Sequence, residues 1–330
     1  MKKIKIALLC PISDDPTSWY RGLGPYARLA KEHGNIELIF PQAQSWACLI
    51  GADVLVLQRP ATPEHFNMLC IAKNMGIKVI CDMDDDNLAV PKDNPTYPTY
   101  SQMPIKEAVL NLARHCDVLT VTTQFMKKKY GIYNKNTVII PNALDDQIVS
   151  QRQVSKTARE DKLLWRGTMS HQRNLMSVGL QLVNLSARHP DWKFVFFGLD
   201  PFDLTERIRN HEVIPQVPLM NFYQVMSSVH AKLLYYPLNH TDHSQARSHI
   251  AWLEGSYANS AVLAYKNEEF IRPGCLNYSS LEEFENVVDA VTRGEVDLDK
   301  CVEESWTHIQ ENYLLSKVNQ KRLEVIQSLL

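Results

Sequence analysis

One pattern constrains this chain more than any other. Short apolar, β-branched runs alternate with helical stretches, stop once, and start again. The runs 3–10, 36–40, 53–57, 77–82, 117–123 and 137–140 are interleaved with helix-like segments at 22–32, 63–75 and 105–116. Parallel strands need long crossover connections, and a strand buried on both faces reads as a continuous apolar run. The alternation therefore predicts a doubly wound α/β sheet. Residues 145–161 interrupt it. They are mostly polar, carry Arg152, Lys156 and Arg159, and lack apolar periodicity, as a linker does. The pattern then resumes, with strands expected at 162–165, 193–197, 231–236 and 261–265. Helices are expected at 170–188, 221–229, 245–259, 281–292 and through the C-terminal stretch to 330. A length of 330 residues accommodates two such units, 1–150 and 151 onward.

Charge and cysteine usage narrow the classes. With 35 basic and 37 acidic residues the net charge is −2, which excludes a strongly basic nucleic-acid coat but leaves room for a local basic groove. No apolar run approaches the ~20 residues of a membrane-spanning helix. The start, Met1-Lys2-Lys3-Ile4, opens like a signal peptide, yet its apolar stretch ends at Pro11 and runs into Asp14-Asp15, so it reads as a first strand. The seven cysteines are odd in number and form no Cys-x-x-Cys pair. They read as reduced thiols of a cytoplasmic protein, with neither disulfides nor a zinc site.

In doubly wound sheets ligands bind beyond the carboxyl ends of the strands, and two such units enclose a site between them. Four loops there carry chemistry. The first holds Trp19-Tyr20-Arg21-Gly22-Leu23-Gly24-Pro25. Gly22 and Gly24 permit either close approach of a ligand or a tight strand-to-helix turn, with Arg21 adding a fixed positive charge. The second is Asp82-Met83-Asp84-Asp85-Asp86. Four carboxylates so close must be solvated, paired or bound to a cation. They read either as a solvated acidic loop or, through Asp84 and Asp86, as a divalent metal site. Asp82, at the strand end, is the member expected to face a cleft. The third, Trp165-Arg166-Gly167-Thr168-Met169-Ser170-His171-Gln172-Arg173, sets cations where a helix begins, and a bound phosphate would remove that conflict with the helix dipole. His171 by itself reads equally as a surface polar residue. In the fourth, residues 243–254, Ser244 is a candidate cap, Arg247 would lie in the first turn, and Glu254 follows two turns along the same face. The neighbouring Trp252-Leu253 argues that Glu254 is buried.

Taken together, Tyr20-Arg21-Gly22-Leu23-Gly24-Pro25, Pro141-Asn142-Ala143-Leu144-Asp145, Gly167-Thr168-x-x-His171 and Arg247-Ser248-x-x-x-Trp252-Leu253-Glu254 resemble the GT-B glycosyltransferases. The likeness is to family 4, the group 1 transferases, in their small bacterial and phage forms. The resemblance implies two Rossmann-like domains facing across a cleft, a C-terminal helix over 316–330 returning to the first domain, and a nucleotide-sugar, a UDP-sugar by preference, on residues 151–315. It implies that Gly167, Thr168, Arg166, His171, Arg247, Ser248 and Glu254 bind the donor, that Arg247 and Arg173 act on the diphosphate, and that Glu254 takes the ribose. The first Glu of the family's Glu-x7-Glu falls on Ala246.

Glycosyl transfer of this type, of a hexosyl or pentosyl residue, needs no cofactor beyond the donor, because arginines stabilise the leaving diphosphate; the metal reading of Asp84 and Asp86 stays open. The family implies retention at the anomeric carbon. An inverting route would need a base, for which Asp82 is the candidate. Arg21, Gly22 and Gly24 would face the acceptor. Two acceptors are open: a saccharide or lipid-linked glycan, or a hydroxymethylated base in phage DNA. Lys127-Lys128-Lys129-Tyr130, Arg152, Lys156 and Arg159 would follow the phosphates of DNA, or form an ordinary solvated face. A non-catalytic nucleotide-sugar-binding module is the rival from another class.

Overall fold

The computed structural model describes residues 3–10, 16–40, 46–152 and 159–330. The sequence readings at Pro11, Asp14, Asp15 and Lys156 lie outside the described residues.

The first sheet is formed by β1 (Ile4–Leu9), β2 (Ile36–Ile39), β3 (Val54–Gln58), β4 (Lys78–Met83), β5 (Val118–Val121) and β6 (Thr137–Ile139), in the order β2-β1-β3-β4-β5-β6. The second contains β7 (Glu160–Arg166), β8 (Lys193–Phe197), β9 (His211–Ile214), β10 (Ala231–Tyr236), β11 (Ala261–Tyr265) and β12 (Cys275–Tyr278), ordered β12-β11-β10-β7-β8-β9. Every strand pairing within the two sheets is parallel. The doubly wound α/β architecture is thus present twice. Helices cover the sheets, which is why β3 and β11 are buried along their whole length.

In each sheet the chain reverses its direction of travel once, between β1 and β3 in the first and between β7 and β10 in the second. Such a reversal splays the loops beyond the strand ends and opens a crevice there. The helix Leu315–Leu329 returns to the first unit. The Asn319 amide donates to the Pro25 carbonyl at 2.9 Å, and Leu323 and Ile326 pack among Ile6, Tyr26 and Leu29. The return is fixed where Leu144 and Leu314 form a parallel bridge.

The edge strands β9 and β12 escape the sequence reading, and the stretch expected as one helix at 245–259 is two, Asp242–Gln245 and Ile250–Tyr257. The segment 170–188 likewise divides into a short 3-10 turn, Gln172–Met176 and Gly179–Arg188. None of the seven cysteines is in a disulfide. No helix among the described residues is long and apolar enough to cross a membrane.

Candidate active site

The switch point of the second sheet is shaped by two glycines. The Gly167 N–H donates to the Phe197 carbonyl at 2.9 Å, so it continues the sheet ladder and is not offered to a ligand. A Cβ on Gly167 would fall 2.6 Å from the Trp165 ring. Gly198 has φ +97°, and a Cβ there would lie 2.5 Å from the Gly167 carbonyl oxygen. Only glycine fits such an approach. The two loops therefore pack backbone to backbone and leave a cleft of about 370 Å³ in front of them. Arg166, Gly167, Thr168, His171, Phe222, Arg247 and Glu254 line it from the second unit. Tyr20, Arg59, Asp85, Asn87 and Asn94 line it from the first.

Glu254 sits on the buried helix Ile250–Tyr257 and is itself buried. Arg166 Nη2 lies 2.5 Å from its Oε2, and the Tyr20 hydroxyl donates to its Oε1 at 2.9 Å. The Tyr20 and Tyr223 hydroxyls are also in contact. Burial, and then the Glu254 carboxylate, push the Tyr20 hydroxyl far up, so it remains a donor. Burial raises the Glu254 carboxyl against the opposing pull of Arg166 and Tyr20.

The break between the two helices aims Arg247. Thr241, not Ser244, caps Asp242–Gln245: its hydroxyl accepts from the Ser244 N–H, and Ser244 lies inside the helix, its own hydroxyl donating to Asn239 Oδ1 at 2.6 Å. Arg247 then falls in the irregular stretch ahead of Ile250–Tyr257, not in a first helical turn. Its Nη1 meets Asp85 Oδ2 at 2.9 Å and its Nη2 lies 2.9 Å from His243 Nε2. Ser248 Oγ accepts from Asn142 Nδ2 at 2.8 Å, a further contact between the units.

His171 turns inward to the same cleft. Burial, followed by Arg247, Arg166 and His243, holds its imidazole well below the usual histidine range. Among the described residues, His171 Nδ1, Arg247 Nε and Arg166 Nε, all buried here, find no hydrogen-bond partner, and Arg166 Nη2 and Glu254 Oε2 have only each other as an ion pair. Buried polar groups are nearly always satisfied. Arg247 Nε and Arg166 Nε belong to guanidinium groups, whose N–H donors suit an anionic partner.

Other sequence candidates stand elsewhere. Arg173 is exposed, pairs with Asp93 at 2.8 Å, and does not line this cleft. Asp82 does not face it either. It is buried and accepts from Arg21 Nε at 3.0 Å, Arg21 Nη2 at 2.5 Å and Thr120 Oγ1 at 2.6 Å, so its oxygens are engaged. Arg21 also donates to the Ile140 carbonyl at 2.5 Å and borders a smaller adjoining cavity. Gly22 and Gly24 serve packing: a Cβ would lie 2.8 Å from Cys10 Cβ and 2.2 Å from the Trp19 carbonyl oxygen, respectively.

The acidic run is neither solvated nor shaped for a cation. Asp84 takes Arg59 in a two-point pair at 2.9 and 2.6 Å, while Asp86 takes Lys129 at 2.6 Å and the Tyr130 hydroxyl at 3.0 Å. With side-chain cations already on these oxygens, Asp84 and Asp86 do not fit a metal site.

Arg59 and Tyr223 were not singled out from the sequence, and Tyr20 and Asp85 stood there only as members of their loops, with no role of their own. Arg59 directly follows β3, so the strand-end rule applied to the other loops would have found it. It also adopts φ +50°, a backbone state uncommon for a side-chain-bearing residue.

No protein-family model matches this sequence, and no curated protein matches it. Solved structures do share its fold. A glycosyltransferase from Rickettsia africae ESF-5 superposes with TM-score 0.68 at 12% identity, covering 100% of this chain and 99% of the other. Anabaena Alr3699/HepE in complex with UDP and glucose gives 0.65 at 12% identity, covering 99% and 100%. A Listeria monocytogenes protein named as a candidate UDP-N-acetylglucosamine 2-epimerase gives 0.62 at 13% identity, covering 99% and 96%. At such identities the likeness establishes the fold, which is GT-B; function must be argued from the site.

Proposed function

We propose that this chain is a glycosyltransferase that moves a hexosyl or pentosyl residue from a UDP-sugar to an acceptor hydroxyl. One observation carries the reading: two guanidinium groups, each with a buried Nε that finds no hydrogen-bond partner among the described residues, and a buried carboxylate meet at a single switch point. A pyrophosphate calls for the first and a ribose diol for the second. In this assignment residues 151–315 hold the donor. Arg166 and Arg247, with Thr168 and His171, receive the diphosphate, Ser248 and Gly167 shape its bed, and Glu254 accepts from the ribose hydroxyls. The first unit, 1–150 with 316–330, presents the acceptor, and the protein works in the cytoplasm.

Departure of the sugar leaves extra negative charge on the diphosphate. A fixed guanidinium beside it lowers the barrier by about 3 kcal/mol, on the scale of one oxyanion-hole donor. The carboxylates of the cleft are engaged, Glu254 by Arg166 and Tyr20, Asp85 by Arg247. This favours a retaining route without a carboxylate nucleophile. The anomeric carbon–phosphate oxygen bond breaks, the acceptor oxygen bonds to that carbon on the same face, and the leaving phosphate takes the acceptor's proton.

A second reading, a nucleotide-sugar binder without turnover, draws on Ala246, which is fully buried among apolar residues of the first unit and presents no carboxylate to the cleft. Calorimetry with UDP and detection of sugar released from UDP-glucose separate the two. Binding with slow release supports the transferase, binding without release supports the binder, and no binding overturns both.

A further inference from the structure

Resting on the glycosyl-transfer reading, we infer that the acceptor is an uncharged sugar hydroxyl, received by the segment 84–102 that straps the first unit's side of the cleft. This strap joins β4 to the helix Met103–His115 and sets Asn87, Asn94, Thr96 and Tyr100 in the cleft wall. Asn94 Oδ1 accepts from the Thr96 N–H at 2.9 Å and hydroxyl at 2.8 Å, which fixes the turn that presents them. Carboxamides and hydroxyls both donate and accept, as sugar hydroxyls do, and the Tyr100 ring offers an apolar face to sugar C–H groups.

A phosphodiester would find little charge available. Arg59, the cation on this wall, is paired at two points with Asp84 and lies 3.6 Å from Asp85. The basic residues that might track a nucleic-acid backbone are mostly committed. Lys129 binds Asp86 and Asp242, Lys128 binds Glu268, and Arg159 binds Asp299. Arg152 lies 3.8 Å above the Trp306 ring and donates to the Ser256 and Tyr257 carbonyls. Each of these cations already faces a carboxylate, a ring or a carbonyl, so together they present little net positive charge to a phosphate backbone.

The test supplies UDP-glucose with either neutral mono- and disaccharides or a duplex containing hydroxymethylcytosine, and follows UDP release and product between 50 and 200 mM salt. Transfer to a neutral saccharide, with an acceptor KM that changes less than twofold over this range, is expected. A phosphodiester acceptor would instead weaken by roughly a thousandfold. Asn87→Ala and Tyr100→Ala should each raise the saccharide KM at least tenfold while kcat falls less than threefold. Sugar release from the donor with transfer to DNA alone overturns the inference and leaves the transferase reading standing. Saccharide transfer with KM unmoved in both variants overturns the role of the strap. No sugar release from the donor overturns the transferase reading and the inference with it.

Discussion

The carboxyl ends of the two sheets use the same residue types in opposite ways. In the first unit Asp82 and Asp84 each meet a cation of their own unit, Arg21 and Arg59, while Asp86 holds Lys129, which also reaches Asp242 of the second. In the second, Glu254 and Arg247 reach across to Tyr20 and Asp85, and Arg247 Nε and His171 Nδ1 find no hydrogen-bond partner among the described residues. A network closed within one unit holds geometry. A network completed by the facing unit, or left incomplete, is one that a ligand can enter by exchanging partners. Charged groups beside a cleft are therefore informative by whom they bind, not by their number.

The largest expected effect falls on the closed network. Asp82→Asn strands the Arg21 guanidinium at 1% exposure. Removing one partner of such a buried pair costs roughly 3–5 kcal/mol. Urea unfolding should show that loss, while calorimetry on the folded variant finds UDP affinity within about threefold of wild type on a 1.4 kcal/mol-per-decade scale. A collapse in affinity with stability intact would erase the distinction between the ends. Next is Arg247→Ala. Loss of charge-assisted hydrogen bonds to a diphosphate, about 1.5–3 kcal/mol, corresponds to roughly 10–100-fold weaker UDP binding. Affinity equal to wild type would remove Arg247 from the site. Tyr20→Phe is smaller. It leaves Glu254 Oε1 without its hydroxyl donor and should destabilise the protein by about 1–2 kcal/mol. If the hydroxyl acts through Glu254, a double-mutant cycle with Glu254→Gln gives a coupling energy; strict additivity would show that the two do not communicate.

Parts of this were legible in the sequence for a physical reason. Interior parallel strands are apolar on both faces, so β3 and β11 stand out; β9 and β12 lie at an edge, are four residues long and half-buried, and carry mixed side chains. Trp252-Leu253 marked Glu254 as buried, and it is. The acidic run posed a charge problem that sequence could state but not solve. Its answer lies in Arg21, Arg59, Lys129 and Arg247, and the Asp85–Arg247 partners are 162 residues apart. The helix that precedes Arg247 starts earlier than periodicity suggests, because Thr241 and not Ser244 caps it, and it ends at Gln245, ahead of Arg247.

The smallest expected effect separates the ends by pH. Burial, then Arg247, Arg166 and His243, lower the His171 imidazole in the folded chain. Its contribution to stability is therefore present above the unfolded value of about 6.5 and is lost as pH falls, because the unfolded chain takes the proton first. Burial alone would raise Asp84, but Arg59 and Arg21 outweigh it and hold the carboxyl below its usual range. That contribution persists until pH drops below about 3.9 and is then lost toward the lower folded value. The contribution of His171 should therefore be lost in acid before that of the Asp84–Arg59 pair. His171→Gln should flatten the fall in melting temperature between about pH 6.5 and 5, and Asp84→Asn the fall below about pH 4. A bound diphosphate sharpens the contrast, because its negative charge offsets the cations that depress His171. Wild type should then take up a proton on binding UDP near pH 6, and His171→Gln should take up less. The nucleotide's own titration is common to both proteins, so the difference reports the imidazole. Identical uptake in the two would mean that His171 does not face the phosphates.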